Sequence, residues 1–553
     1  MFKPKFFTLI KNYDKETFIS DLIAGVIVGI VALPLAIAFA IASGVAPEKG
    51  IITAIVAGFL ISFLGGSRVQ IGGPTGAFVV IIYGVIQNYG YTGLLVATFL
   101  AGIFLVIMGF AKLGSLIKFI PHPVIVGFTS GIALIIFSSQ IKDLFGLSIT
   151  KVPADFIEKW YVYFSNFHTY NYWSIIISIS SLMIIIVWQK FIKKIPGSII
   201  AIILTTIFAT AFNLPVETIG SRFGSIKASL GIEFVPQINF ETVKNLIQPA
   251  FTIAMLAAIE SLLSALVADG MIGSKHRSNT ELIAQGIANI FSSLFGGIPA
   301  TGAIARTATN IKNGAKTPVA GMIHALTLLL ILLFFGKYAN LIPMATLAAI
   351  LVVVSYNMSE WRSFVKLFKS PRHDLMVLLI TFFLTVVFDL TIAIEIGLIM
   401  SVFLFMHRMS QVTNVGIIRK EFEDTEDIDE TIVDPKKIPD GVEIFEINGP
   451  FFFGAVDKFK ETIEKLEKLP KVRILRMRYV NAIDSTGIHT LEEFYYDCKK
   501  HNIKLIISGI HAQPLKALTD SGFFDVIGEE NFCGNIDEAL EKAKQYLNKK
   551  NSE

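Results

Sequence analysis

Apolar segments long enough to cross a membrane follow one another through most of this sequence, from residue 22 to residue 407. A helix needs about 20 apolar residues to span a hydrocarbon core of about 30 Å. Because that core offers the backbone no water, such segments must be helices with internal hydrogen bonds. With 53% apolar and only 17% charged side chains, the chain is also too hydrophobic for a soluble globular protein. The sequence therefore predicts an α-helical polytopic membrane protein.

The apolar segments fall into two sets of seven, separated by a longer connection at 214–249. The first set is predicted at 22–43, 48–64, 74–88, 92–111, 123–141, 173–189 and 197–213. The second set is predicted at 250–269, 281–295, 303–311, 317–335, 340–357, 374–388 and 391–407. An odd number of spans per half places the halves in opposite orientations, so we predict 14 transmembrane segments in a 7+7 inverted repeat.

The distribution of basic residues predicts how these segments are oriented. Residues 1–21 combine lysines with aromatic side chains, which is typical of a cytoplasmic segment that lies in the membrane interface. With the N-terminus inside, the short basic connections all fall on the cytoplasmic face. Their basic residues are Lys112, Lys118, Lys190, Lys193, Lys194, Lys275, Arg277, Lys312, Lys316, Arg362, Lys366, Lys369 and Arg372. We therefore expect a multi-pass protein of the inner (plasma) membrane, embedded in the lipid bilayer, with both termini in the cytoplasm.

The composition changes after residue 410. Residues 411–440 form an acidic connector, and residues 441–553 alternate strand and helix patterns, which predicts a small α/β domain. Strands are predicted at 442–448, 472–479 and 504–508, and helices at 456–469, 486–501, 513–520 and 536–547. The predicted order is the interfacial segment, repeat 1 at 22–213, repeat 2 at 250–410, the connector and the α/β domain.

Several function classes find no support in the sequence. It contains no Walker sequence, Ser/His/Asp arrangement or metal-ligand spacing, so we expect neither an enzyme nor an ATP-driven pump, and no metal or cofactor. Cys498 and Cys533 form no disulfide pattern. The net charge of +4 is small and the basic residues follow the apolar segments, which argues against a nucleic-acid partner.

Two of the apolar segments are interrupted by glycine and proline in corresponding places. Each interruption ends in Thr-Gly-Ala, at Thr75–Ala77 and at Thr301–Ala303. Interrupted helices in corresponding places of two halves indicate the central site of a transporter. Helix N-termini carry unpaired N–H groups and partial positive charge, which favour an anion, and Arg306 would add a full charge. The structural alternative is that the glycines and prolines only permit close packing and that Arg306 belongs to an ion pair.

Glu260 is predicted near the middle of its helix, beside Ser261 and Ser264. A carboxyl group at membrane depth is either protonated or held ionised beside Arg306 or a cation. Either state couples occupancy of the site to a cation. A static pair between Glu260 and Arg306 that braces two helices is the structural alternative, and the two roles are compatible.

In the α/β domain, the run Asp484-Ser485-Thr486-Gly487 joins a strand to a helix. We expect Ser485 or Thr486 to be the N-cap of that helix. A phosphate added to either hydroxyl would meet the helix dipole, whereas capping alone is the simpler interpretation.

Four stretches carry a resemblance to a known family, namely Leu33 to Ala40, Gly73 to Ala77, Ile259 to Met271 and Thr301 to Thr307. In these stretches the sequence resembles the sulfate permease (SulP) family of anion transporters. The C-terminal segment resembles that family's STAS domain, which is similar to anti-sigma factor antagonists and carries a phosphorylatable hydroxyl in a motif matching residues 484–487. The resemblance covers nearly the whole chain.

The resemblance implies core and gate domains, an elevator-like mechanism, a homodimer, and an anion site between the third and tenth helices. Carried over residue by residue, the substrate site comprises Pro34, Ala36, Phe39, Thr75, Gly76, Ala77, Phe78, Ala303, Ile304, Ala305 and Arg306. Glu260 and Ser264 would serve the coupling ion, Ser485 and Thr486 would be regulatory, and the STAS domain would bind a cytosolic protein partner.

One departure from the family bears on coupling. Sodium-coupled bicarbonate members have Asp where this chain has Glu260, and Thr where it has Ser264. We therefore expect proton-coupled symport, with sodium less favoured, of a small anion of the sulfate, bicarbonate or C4-dicarboxylate class. Two alternatives stay open. One is a nucleobase-type proton symporter of the same architecture, and the other is a membrane-tethered regulatory protein that acts through the STAS domain.

Overall fold

The chain forms two compact units, Met1–Ile399 and Met400–Glu553. The computed structural model describes residues 2–115, 121–149, 152–153, 155–191, 196–224, 231–233, 240–388, 392–393, 396–397, 399–404, 406, 414–418, 438–464 and 469–552. The connector predicted at 411–440 lies largely outside these residues, and the apolar segment predicted at 391–407 lies partly outside them.

The first unit is almost entirely helical. Its helices are α1 (Lys5–Leu9), α2 (Lys15–Ala42), α3 (Pro47–Leu64), α4 (Val79–Phe110), α5 (His122–Phe145), α6 (Phe156–Ser165), α7 (Tyr172–Phe191), α8 (Gly197–Ala211), α9 (Ile219–Phe223), α10 (Phe240–Ile272), α11 (Ser278–Leu294), α12 (Ile304–Lys312), α13 (Val319–Ala339), α14 (Met344–Met358), α15 (Trp361–Leu367) and α16 (Arg372–Val387). Single 3-10 turns lie at Ile10–Asn12, Gly76–Phe78 and Phe167–Thr169. Two short strands interrupt the helices, β1 (Gly72–Gly73) and β2 (Thr301–Gly302).

Seven helical stretches among the described residues are long and apolar enough to cross a membrane. They are Lys15–Ala42, Pro47–Leu64, Gly76–Phe110, His122–Phe145, Val243–Ile272, Val319–Ala339 and Met344–Leu367. Every apolar segment predicted before residue 391 coincides with a helix of the structure. The prediction of a helical membrane protein is thus confirmed, while the count of 14 spans stays a prediction.

The structure differs from the predicted segments at the start of α2 and in three of the connections. Helix α2 begins inside the segment predicted to be interfacial, because Asp14 caps it by accepting a hydrogen bond of 2.8 Å from the Thr17 amide. By contrast, α4 consists of two helices that meet at a kink at Gly90, between the segments predicted at 74–88 and 92–111, and the φ of 69° at Gly90 is one that glycine adopts readily. The short helices α6, α9 and α15 lie in connections where no helix was predicted.

Close contacts between small residues pack the first unit. Helix α4 lies along α10 and α11, α2 along α3 and α13, and α5 along α14 and α16. A Cβ atom added to Gly102 would lie 2.6 Å from the carbonyl oxygen of Gly286. A Cβ atom added to Gly286 would lie 2.5 Å from that of Gly102. Helices in lipid depend on such close approach, because burying apolar surface from lipid gains little.

The second unit is an α/β domain. Its strands are β3 (Asn414–Ile418), β4 (Val442–Asn448), β5 (Val472–Tyr479), β6 (Lys504–Ser508) and β7 (Phe532–Cys533). Its helices are α17 (Phe453–Glu464), α18 (Ser485–Lys500), α19 (Ala512–Asp520), α20 (Phe523–Ile527) and α21 (Ile536–Ser552), with a 3-10 turn at Glu529–Asn531. The strands form one sheet in the order β3-β4-β5-β6-β7, in which β3 is antiparallel to β4 and the other neighbours are parallel.

Both faces of this sheet are covered, as a parallel sheet requires. Alternate residues of β4 enter different apolar clusters, with Phe445 and Ile447 in one and Ile444 in the other. The three strands predicted in this domain have the observed bounds. Strand β3 falls within the predicted connector, so the sheet begins before residue 441.

Candidate functional site

The two interrupted segments meet in the first unit. Strand β1 pairs antiparallel with β2, Gly72 opposite Gly302 and Gly73 opposite Thr301. The pairing is extended by the amide of Ala303, which donates to the carbonyl oxygen of Ile71 over 2.8 Å. Immediately after the strands, the chain enters the 3-10 turn at Gly76–Phe78 on one side and helix α12 on the other.

The paired strands β1 and β2 and the residues beside them are here called the crossing. Side chains form hydrogen bonds with the backbone groups of the crossing that have no partner within a helix. Thr307 Oγ1 accepts from the Ile71 amide over 3.0 Å, and Asn310 Nδ2 donates to the Val69 carbonyl over 2.9 Å. Gln70 Nε2 donates to the carbonyl of Ser261 in α10 over 3.1 Å. Non-helical backbone at membrane depth is tolerated only where such partners or a water-filled cavity satisfy it.

A polar stripe on α11 holds both interrupted segments. Glu281 accepts from the amide of Gly66 over 2.7 Å, and Gln285 donates to Glu281 over 2.9 Å. One turn further on, Asn289 forms two hydrogen bonds of 2.8 Å with Ala300, one to its carbonyl oxygen and one from its amide. These three residues were not among the predicted site residues, although their spacing of four indicates one polar face of a helix.

Both helices that open at the crossing lack a side-chain cap. Neither Thr75 nor Ala303, their N-cap residues, accepts a hydrogen bond from the first turn with its side chain. The N–H groups of those turns therefore remain available to a bound group, and together with the helix dipole they favour a negative charge.

A cavity of about 1190 Å³, here called the large cavity, lies against the crossing. Of the predicted substrate and coupling residues, it is lined by Phe39, Thr75, Gly76, Ala77, Glu260, Ala303, Ile304, Ala305 and Arg306. The structure thus brings together predicted residues from α2, from both interrupted segments and from α10.

Four other predicted residues, Pro34, Ala36, Phe78 and Ser264, do not line the large cavity. On α2, Leu35 and Phe39 face it, so Pro34 and Ala36 face elsewhere and are buried. The side chain of Phe78 is fully buried in the apolar core. Ser264 is also fully buried, and its hydroxyl lies 3.2 Å from Thr307 Oγ1, where it packs α10 against α12.

The two charged residues of the large cavity each contact the first interrupted segment. Glu260 Oε2 accepts a hydrogen bond of 2.7 Å from the hydroxyl of Thr75. Arg306 is 2% exposed and donates from Nη2 to the carbonyl oxygen of Pro74. Among the residues that the structure describes, neither forms an ion pair, so the static Glu260–Arg306 pair considered as an alternative is not what the structure shows.

Arg306 therefore has no carboxylate within ion-pair distance among the described residues, although Glu260 lines the same cavity. Its Nη1 atom has no hydrogen-bond partner in the described part of the chain and lies close to Gly73. A Cβ atom at Gly73 would come within 2.5 Å of that nitrogen, so a residue with a side chain there would displace the guanidinium. Gly73 also has a φ of 149°, which few other residues adopt.

In the second unit, the N-cap prediction is wrong by one or two residues. Asp484 is the N-cap of α18, and its Oδ1 atom accepts from the amide of Gly487 over 2.8 Å. Ser485 and Thr486 are the first two residues of the helix, and both are exposed. Aspartate caps as well as serine, so the sequence alone could not choose between neighbouring candidates.

A helical membrane protein in which interrupted segments of two halves cross beside a cavity has the architecture of a secondary transporter. A model described as the sulfate permease family matches residues 18–381, and a STAS domain model matches residues 435–543. The chain therefore belongs to the sulfate permease family and carries a C-terminal STAS domain. Its relatives are transporters and not enzymes.

Three known proteins illustrate the relationship. The putative sulfate transporter YvdB of Bacillus subtilis (strain 168) is 43% identical over 531 residues, which cover 96% of this chain and 98% of that protein. The bicarbonate transporter BicA of Picosynechococcus sp. is 30% identical over 425 residues, 74% of each protein. The solved structure of SLC26A9 has a TM-score of 0.86 at 20% identity, covering 99% of this chain and 93% of that one, so the fold is shared. The family predicted from the sequence is confirmed.

Proposed function

We propose that this protein is a secondary active transporter of a small anion of the sulfate, bicarbonate or C4-dicarboxylate class. The observation that carries the proposal is the convergence on one cavity of two helix N-termini without side-chain caps and the guanidinium of Arg306. The relatives named as sulfate and bicarbonate transporters support the same substrate class.

Electrostatics explains why an anion would bind there. The first-turn N–H groups after Thr75 and after Ala303 are oriented donors that need no reorganisation. Among the described residues no carboxylate lies within ion-pair distance of Arg306, and its charge acts through a low-dielectric surrounding in which Coulomb interactions are strong. An uncharged nucleobase would leave this charge uncompensated, which favours an anion over the nucleobase alternative.

Glu260 supplies a means of coupling to protons. Its carboxylate lines the same cavity as Arg306 and is bonded to Thr75, the N-cap of the first interrupted helix. An ionised carboxylate there repels an incoming anion, and protonation removes that repulsion. Proton binding at Glu260 and anion binding at the crossing would therefore favour each other, as symport requires.

The position of the large cavity gives the proposed orientation. Lys312, Asn313 and Glu360 line its rim, at the face whose connections are predicted to be cytoplasmic. We infer that the structure is open to the cytoplasm and that transport proceeds by elevator-type alternating access. A 7+7 inverted repeat, a homodimer and an inner-membrane location with cytoplasmic termini belong to the same proposal.

The STAS domain gives the transporter a regulatory surface. Ser485 and Thr486 are exposed at the first turn of α18, where a phosphate would meet the positive end of the helix dipole. We infer that a cytosolic protein partner or a phosphate at this position regulates transport. Removal of residues 441–553 should reduce transport without abolishing it, whereas a protein that acts only through the STAS domain would lose its function.

Uptake into proteoliposomes with a panel of labelled solutes tests the proposed function. Sulfate, bicarbonate and fumarate represent the proposed class, and uracil represents the nucleobase alternative. We expect saturable uptake of at least one anion and none of uracil. Uptake of uracil alone would contradict the proposal.

An inward proton gradient tests the coupling. We expect the gradient to drive anion accumulation in the wild type and not in Glu260→Gln. The matched control is Glu241→Gln, which removes an exposed carboxylate at the start of the same helix and should behave as the wild type. Gradient-driven accumulation that survives Glu260→Gln would remove Glu260 from the coupling step.

A further inference from the structure

A second cavity, of about 600 Å³, lies at the other end of the helices that line the large cavity. Along α5, the large cavity contacts residues between His122 and Thr129, and the second cavity contacts residues between Ile135 and Asp143. Fully buried apolar side chains, among them Phe78 and Ile132, belong to the core that lies between the two lined stretches. The two cavities therefore occupy opposite ends of one helix bundle.

The cationic side chains of the second cavity differ in how their charge is satisfied. Arg222 is bonded to two carboxylates, with Asp143 at 2.5 and 3.2 Å from its terminal nitrogens and Glu217 Oε1 at 2.8 Å from its Nε. Lys142 and Lys159 also line the cavity. In the described part of the chain, the ammonium group of neither lysine forms a hydrogen bond or an ion pair.

Lys159 is the more unusual of these two lysines. It lies in the amphipathic helix α6 and is only 4% exposed. The carboxylate nearest to it in sequence, Asp155, is the N-cap of that helix and accepts from the amides of Ile157 and Glu158 over 2.9 Å each. Burial lowers the pKa of Lys159 to about 8, and Asp155 opposes that shift. At neutral pH the side chain therefore still carries its charge for most of the time.

A buried ammonium group without a partner is costly in free energy. Asp155 offsets part of the charge of Lys159, but its side chain is bonded to the first amides of α6, and both carboxylates near Arg222 are bonded to that arginine. An ion from solution that enters the cavity would bring a negative charge into direct contact with the ammonium group, which no described side chain does. Lys142 would add a second positive charge to the field that attracts it.

We propose that the second cavity binds a small oxyanion at Lys159, on the side of the protein opposite to the large cavity. The inference rests on the proposed function in one respect, since the bound ion would be a transported anion on its way to the crossing. Anions would then accumulate in this cavity at the outer face. When the protein opens outward, the central site would be exposed to this raised local anion concentration.

Chemical labelling of lysine tests this binding without depending on transport. Full-length protein in proteoliposomes is treated with a small amine-reactive ester at pH 8, with sulfate or with the bulkier HEPES anion at equal ionic strength, and labelling of each lysine is measured by mass spectrometry. Sulfate should slow labelling of Lys159 by about tenfold, the factor that corresponds to 1.4 kcal/mol. Lys337 is exposed at the end of α13 and serves as the control, with no expected change. Equal labelling of Lys159 in the two salts would overturn the proposal.

Uptake kinetics provide the second readout. Lys159→Gln should raise the external KM for sulfate by about tenfold with little change in maximal rate, since one hydrogen bond to a charged group is lost. Lys159→Arg should restore the wild-type KM, and Lys337→Gln should leave it unchanged. An unchanged KM in Lys159→Gln, or an equal rise in Lys337→Gln, would overturn the proposal.

The two readouts separate the failure of this site from the failure of the proposed function. Protection of Lys159 by sulfate in a protein that transports no anion would retain the site and refute the transport function. Normal sulfate uptake without protection would retain the transport function and refute the site.

Discussion

Replacing Asn289 by alanine should loosen the crossing of the interrupted segments. Asn289 is fully buried and forms two hydrogen bonds of 2.8 Å with Ala300, next to strand β2. Truncation removes both bonds and leaves a buried amide and a buried carbonyl without a partner. Each unsatisfied group costs about 1 to 3 kcal/mol, so we expect the free energy of unfolding to fall by about 2 to 6 kcal/mol.

The assay for Asn289→Ala is unfolding of the full-length protein by SDS titration from mild detergent micelles. Ser293→Ala is the matched control, because among the described residues the hydroxyl of Ser293 bonds only to the Ile290 carbonyl of its own helix, over 2.8 Å. The control should change the free energy of unfolding by less than about 1 kcal/mol. Equal effects of the two variants would refute the argument that Asn289 supports the second interrupted segment.

Three further predictions concern packing, capping and reactivity. Gly102→Ala should destabilise the membrane unit and lower the yield of folded protein on size-exclusion chromatography, because its Cβ would lie 2.6 Å from the Gly286 carbonyl oxygen. The control is Gly84→Ala in α4, whose Cβ would have no atom within 4 Å among the described residues and should be tolerated. Asp484→Ala should lower the stability of α18 by about 1 kcal/mol, seen as faster amide hydrogen exchange in its first turn, while Ser485→Ala should have no such effect. In a Cys533→Ser background, Cys498 should resist iodoacetamide at pH 8 until SDS unfolds the domain, because burial raises the pKa of its thiol to about 11. Rapid labelling of Cys498 in the native protein would contradict that burial.

The helices and the family were predictable from the sequence because their signals are local. Long apolar segments, the Thr-Gly-Ala runs at Thr75 and Thr301, and the strands at 442–448, 472–479 and 504–508 each depend on residues close together in the chain. Helix ends were less predictable. Asp484 and Ser485 are equally good caps, and Asp14 extends α2 through residues whose polarity is typical of an interface.

The contacts of the site were not predictable, because they join residues about two hundred positions apart. Glu260 bonds to Thr75 and Arg306 to Pro74, although pairing Glu260 with Arg306 was the simpler electrostatic expectation. Which partner a side chain reaches depends on the rotation of α10 relative to the crossing, and no local pattern encodes that rotation. Likewise, the pairing of β1 with β2 depends on two-residue strands that are too short to show a strand period.

The two interrupted segments depend on each other at the guanidinium of Arg306. Gly73 contacts the guanidinium of Arg306, so the first interrupted segment positions the charge that the second one contributes. The anion site would therefore be a joint product of both halves, and a change in either half should alter affinity.

Equilibrium binding of labelled sulfate to the full-length protein in detergent, before and after Arg306→Ala, tests the central claim most directly. The control is Arg372→Ala, which removes an exposed arginine at the start of α16. Because a hydrogen bond or close charge contact to an anion contributes about 1.5 to 3 kcal/mol, we expect Arg306→Ala to weaken sulfate binding at least tenfold and Arg372→Ala to leave it unchanged. Full sulfate affinity in Arg306→Ala would contradict the claim that the crossing of the two interrupted segments is the anion site.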